Sequence, residues 1–229
     1  MTRDDLVGNR WVLVGGIVYL LEWVAIIWAG ALGVGETITR GNDLDDMAGV
    51  YADHVDSVAT MAGWFALVLL GRILIFIGLR HALADSGYRH PLLDLAVAAA
   101  AVSVTLEIAS YGLAMAAAER VEAGEAAAAL LLDQSGSGLN FMIMGGLGVA
   151  VAATSWCMWR SGLFALPLNI AGLVAGLAMI GAQLTVAPSM HTVFDVLYAA
   201  PLLFWVWMIW AGVVCWRRTP RSSSAAAPA

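Results

Sequence analysis

Three ionisable residues stand in stretches that are otherwise apolar: Glu22, Arg72 and Glu107. A charge in such surroundings must find a partner, exchange a proton or reach water. Glu22 and Arg72 sit at compatible depths if their segments run antiparallel, and one reading makes them a structural ion pair. Glu107 then has no evident cation. A carboxyl among apolar groups is a candidate proton donor, so Glu107 and Glu22 are the candidate catalytic acids. Ser103 and Tyr111 lie four residues before and after Glu107, on the same helical face. That stripe suits an acid site, and it suits a plain hydrogen-bonded helix contact equally well.

The ten Trp residues are the most unusual feature of the composition. Trp11, Trp156, Trp159 and Trp216 fall where an interfacial aromatic belt is expected. Trp23, Trp28, Trp64, Trp205, Trp207 and Trp210 fall inside the apolar stretches. Tyr19, Trp23, Trp64, Tyr111, Phe141, Tyr198 and Trp205 are candidate substrate-binding residues, walls of an aromatic cavity. Ring faces attract cations. An apolar, ring-lined cavity with one carboxylic acid is what carbocation chemistry needs: the acid protonates an alkene or epoxide, and dry walls delay quenching by water.

Other polar groups carry less. Asp43-Leu44-Asp45-Asp46 spells the acid motif of soluble class II terpene cyclases, but here it falls in an Asp-rich connection, where a solvated surface is expected. His191 and Asp195 are four apart and make half a metal-ligand set, which His54 would have to complete. No metal and no cofactor is expected. P-loop, nucleophile-elbow and H-E-x-x-H patterns are absent from the sequence.

The elements that must position these residues follow from composition. Of 229 residues, 61% are apolar and 12% charged, with a mean hydropathy of +0.83. A soluble domain is about 45–50% apolar and roughly 25% charged. The balance excludes an ordinary soluble enzyme and a disordered chain. A net charge of −6 argues against a nucleic-acid partner. The basic residues are all Arg, so a Schiff-base lysine is impossible.

Six stretches are long enough to cross a bilayer, which takes about 20 residues: roughly Trp11–Val34, Val58–Leu79, Leu92–Ala118, Leu139–Trp159, Phe164–Ala187 and Val196–Trp216. The expectation is an all-α, six-helix membrane domain over residues 1–218, with a disordered tail over 219–229. Two short amphipathic helices, in Gly35–Ser57 and Glu119–Gly138, would cover the outer mouth as connectors or a lid. Gly145, Gly146, Gly148, Gly172 and Gly176 would let helices approach closely. With the N-terminus inside, Arg3, Arg10, Arg80, Arg89, Arg160, Arg217, Arg218 and Arg221 face the cytoplasm, against Arg40 and Arg120 outside. That bias predicts a multi-pass cell-membrane protein with both termini cytoplasmic.

The layout resembles a broad family of uncharacterised six-helix bacterial membrane proteins. The resemblance is carried by Val14-Gly15-Gly16-Ile17-Val18-Tyr19-Leu20, by Gly145-Gly146-Leu147-Gly148, and by Arg160-Ser161-Gly162-Leu163-Phe164-Ala165-Leu166-Pro167. The chain also looks like the small actinobacterial membrane terpene cyclases that act on prenylated indoles. That resemblance implies metal-free, proton-initiated cyclisation of a lipophilic substrate. The rival expectations are a transporter of a small lipophilic compound, with Glu22 and Arg72 as coupling groups, and a non-catalytic membrane partner protein. The expected partners are that substrate and the lipid bilayer, with no nucleic acid, and the oligomeric state is left open.

Overall fold

The computed structural model describes residues 2–32 and 51–219, apart from the side chains of Asp4, Leu32, Pro188 and His191. Asp43-Leu44-Asp45-Asp46, the part before residue 51 of the helix expected in Gly35–Ser57, and the tail from 220 onward lie outside the described residues. Those described form helices and short turns, with no strand. α1 (Arg10–Leu20) and α2 (Glu22–Leu32) make the first membrane span, and α3 (Val55–Val68) and α4 (Leu70–Asp85) the second. α5 (Pro91–Glu122), α6 (Ala126–Ser161) and α7 (Leu166–Leu184) make the next three. α8 (His191–Leu197) and α9 (Ala200–Arg218) make the sixth. The chain is a six-span, all-α membrane bundle.

Each span packs on its neighbours in sequence, and α9 closes the ring against α1. Lipid supplies no hydrophobic drive between helices, so close backbone approach must hold them together. A Cβ on Gly15 would stand 2.7 Å from the Gly71 carbonyl oxygen, and one on Gly148 2.7 Å from that of Gly176. These glycines join the first span to the second and the fourth to the fifth. The interior toward the Arg-rich end is filled by Phe76, Phe204 and Trp207, with ring centroids 6.1–6.5 Å apart.

Short turns join the spans. Gly87 (φ +88°) and Gly124 (φ +77°) adopt the left-handed conformation that glycine tolerates. The Tyr88 N–H donates back to the Leu83 carbonyl and the Glu125 N–H to that of Arg120, closing the ends of α4 and α5. The α5–α6 connection differs from the sequence expectation. Glu119–Gly138 forms no separate helix over the mouth; its residues belong to α5, a three-residue turn and α6. Because Gly124 permits a tight reversal, both helices run on, and at 1.5 Å per residue they reach about 50 Å, well past the roughly 30 Å hydrocarbon layer. Glu119, Glu122 and Glu125 make this the acidic end of the bundle, where Arg120 pairs with Glu125 at 3.0 Å.

Two spans are interrupted. Between α1 and α2 the Val24 N–H donates to Leu21 O (3.1 Å), and between α3 and α4 the Arg72 N–H donates to Leu69 O (3.0 Å). Both are tight i to i+3 turns inside apolar helices, without proline. Trp64 Nε1 reaches across from the second span and donates to Leu21 O at 2.9 Å. The interruptions lie beside Glu22 and Arg72.

Candidate functional site: a buried arginine–carboxyl cluster

Four helices bring the site together. Tyr19 lies in the last turn of α1, and Glu22 opens α2 three residues later. Arg72 lies in the first turn of α4. Ser103, Glu107 and Tyr111 form one stripe on α5, and all three are buried. The stripe expected from spacing is therefore real, and it faces inward.

Arg72 is the hub. Its Nη1 donates to Glu107 Oε2 at 2.5 Å and to Ser103 Oγ at 3.4 Å. Its Nη2 donates to the Tyr19 hydroxyl at 2.8 Å. The guanidinium carbon lies 4.5 Å from the Tyr19 ring centroid, within cation–π range. Trp205 Nε1 donates to the same hydroxyl at 3.2 Å. The Arg72 and Glu107 side chains are only 2% and 7% exposed, so this ion pair is dry. Such a pair persists only when further hydrogen bonds satisfy both partners. Arg72 Nε alone has no partner among the described residues.

The pairing corrects one expectation. Arg72 bonds Glu107 directly, so Glu107 is a counter-ion and not an unpartnered acid. The reason is hairpin geometry: Arg72 and Glu107 stand equally far from the turn at Arg89–His90, so antiparallel packing brings them level. Glu22 is the additional carboxyl. It is 6% exposed, within electrostatic reach of Arg72 and Glu107 and within hydrogen-bond reach of Tyr19. The guanidinium thus bonds one carboxyl, Glu107, and has a second, Glu22, within electrostatic reach, in a site from which water is largely excluded.

The aromatic candidates divide. Tyr19 and Trp205 touch the cluster. Tyr111 stacks on Phe65, with centroids 4.1 Å apart and planes 6° from parallel. Trp23 meets Trp205 edge-on at 4.7 Å, beside Glu22 in sequence, and is 38% exposed on the bundle's outer surface. Trp64, 37% exposed, is also on the perimeter, where its indole N–H serves the helix break. Phe141 and Tyr198 instead join a separate group around Phe194. The expected single indole-walled chamber is therefore replaced by aromatic contacts in several places. The reason is helical spacing, which turns Trp23 and Trp64 outward when Glu22 and Phe65 turn inward.

The sequence reading missed two buried features. Trp207 is the most enclosed indole, fully buried at the ring centre. Asp133, 2% exposed, accepts a 2.8 Å hydrogen bond from the buried Tyr51 hydroxyl. The signal for Asp133 was its spacing with Ser137 and Asn140, four and seven residues on. Among the described residues no three His, Cys, Asp or Glu side chains gather as a metal site. His191 and Asp195 both fall on α8, with Asp195 exposed. No family model, curated protein or solved structure matches this chain.

Proposed function

We propose that the protein is a membrane-embedded terpene cyclase in which Glu22 is the proton donor. The observation that carries this reading is the count of charges at the cluster: Glu22 and Glu107 converge on the single cation Arg72. A dry interior resists net charge, and one proton restores neutrality. Glu107 is hydrogen-bonded to the guanidinium, so the proton belongs to Glu22. Trp205, bonded to the Tyr19 hydroxyl, and Trp23, which it meets edge-on, supply rings on that side of the bundle, and the exposure of Trp23 on the bundle surface supports a route for a lipophilic substrate arriving from the bilayer.

In the reaction the Glu22 O–H bond breaks and its proton joins the terminal alkene carbon or epoxide oxygen of a prenylated substrate, such as a prenylated indole. The resulting cation is attacked by an internal double bond, closing a ring. Loss of a proton to the Glu22 carboxylate ends the cycle and restores the acid, so the reaction is an isomerisation. While Glu22 is ionised, its negative charge and the ring faces stabilise the cation, and the Arg72–Glu107 pair adds no net charge. Tyr19, held by Arg72 and Trp205, positions the Glu22 carboxyl. The Arg-rich end faces the cytoplasm, and the bilayer is the cell membrane.

Membranes containing the chain are incubated with a prenylated indole or a polyprenyl epoxide, and products are separated by mass and retention. Cyclised product from the parent and none from Glu22→Gln is expected. Undiminished product from that variant, or none from the parent, removes the proposal. A second reading, proton-coupled movement of a lipophilic compound, is favoured by the tight turns at Leu21 and Leu69, because interrupted helices beside buried charges are a transporter device. Proton-driven flux of an unchanged compound in liposomes would select it.

A further inference from the structure

The polar residues of α5 and α6 line up beyond the cluster. A Cβ on Gly136 would lie 3.1 Å from the Ser110 carbonyl oxygen, and one on Gly146 would lie 3.0 Å from that of Ala99 and 3.3 Å from Ser103 Cβ. These contacts fix the antiparallel register of the two helices. Between them, Asn140 falls level with Glu107, Ser137 with Ser110, and Asp133 about one turn nearer the acidic end. Asp133, Ser137, Asn140 and Ser110 are all buried. The Ser110 and Ser137 hydroxyls have no hydrogen-bond partner among the described residues, although each is 5% exposed or less. An unpaired hydroxyl in a protein interior is costly, and two at one level between two carboxyls call for a bridging donor–acceptor such as water.

We infer that Tyr51, Asp133, Ser137, Ser110 and Glu107 form a proton path from the acidic end of the bundle to the cluster. It rests on the reading that Glu22 carries a proton, and it supplies what that reading lacks, namely a way for the proton to equilibrate with the aqueous phase. Tyr51 stands at the start of the second span, with the exposed Asp53 two residues on. From Asp133 to the level of Glu107 the path covers seven residues of α6, about 10 Å at 1.5 Å per residue. Two serine hydroxyls with water between them span that gap without a charged intermediate. The proton enters at the Asp133 carboxyl and passes along the hydroxyls. It reaches Glu22 through Glu107, the carboxyl that shares Arg72 with it.

Two measurements on the full chain in lipid vesicles test the path. In the first, Ser110→Cys and Ser137→Cys are exposed to silver ions from the acidic end; the native Cys157 and Cys215, both buried, give the baseline. Both new thiols are expected to react above that baseline. In the second, infrared spectra follow H/D exchange of the protonated carboxyl band that Glu22→Gln removes. Asp133→Asn is expected to slow that exchange at least tenfold. Protected thiols at both positions, or parental exchange in Asp133→Asn, overturn the path. If the parent shows no such band, the proton assignment to Glu22 fails, and the thiol pattern alone decides the path.

Discussion

Removing Arg72 should destabilise the fold more than removing either carboxyl beside it. Arg72→Met keeps the length of the stem and deletes the guanidinium with its bonds to Glu107, Ser103 and Tyr19. Breaking a buried pair by deleting one partner costs about 3–5 kcal/mol. Glu107→Gln behaves differently. Arginine cannot lose its charge, but Glu22 can ionise and take the vacated place, so a smaller loss of about 1–2 kcal/mol is expected. With the shared proton on Glu22, as proposed, Glu22→Gln replaces a neutral acid by a neutral amide and should be the mildest. The double variant Glu22→Gln, Glu107→Gln strands the guanidinium and should exceed the sum of the single losses by about 2 kcal/mol. The assay is denaturant unfolding in mixed micelles. Additive losses, or an Arg72→Met cost no larger than that of Glu22→Gln, would refute the shared-proton account of the cluster.

Gly71→Ala should destabilise by about 1–3 kcal/mol in the same assay, because its Cβ would meet Gly15 O at 2.5 Å and Tyr19 N at 2.7 Å; Gly63→Ala, which meets nothing within 4 Å, should not. Trp64→Phe should cost about 0.5–1.5 kcal/mol through loss of its bond to Leu21 O, and amide exchange at Val24 should rise if the break then loosens; unchanged exchange there would mean that the indole does not hold the turn. At the N-terminus, the Thr2 N–H and hydroxyl donate to the Asp5 carboxylate and hold it below its usual 3.8. A depressed folded value stabilises the turn Arg3–Asp5 above pH 3.8 and ceases to do so as pH falls through that lower value. Amide exchange at Asp5 should therefore stay constant from pH 7 to 4, after correction for intrinsic rates, and speed up below; Thr2→Ala should move that onset toward higher pH.

The bilayer makes the class of fold readable from sequence. Hydrocarbon accepts only segments that satisfy their own backbone hydrogen bonds, so six long apolar stretches meant six helices before any contact was known. The inward stripe Ser103–Glu107–Tyr111 was readable too, because helical spacing places residues four apart on one face. The Arg72–Glu107 pair was readable in principle from its symmetry about Arg89–His90, but only once those two helices were known to form a hairpin. Helix lengths were less legible: Glu119–Gly138 read as a connection with a short helix over the mouth because composition marks where water begins, not where a helix ends. Tertiary structure alone decided which carboxyl holds the guanidinium, which indoles face lipid and which is sealed at the centre, and that Asp133 is buried against Tyr51. Hydropathy measures each residue against its solvent, whereas these outcomes depend on the rotation and register of one helix against another, which close contacts such as Gly15 on Gly71 set.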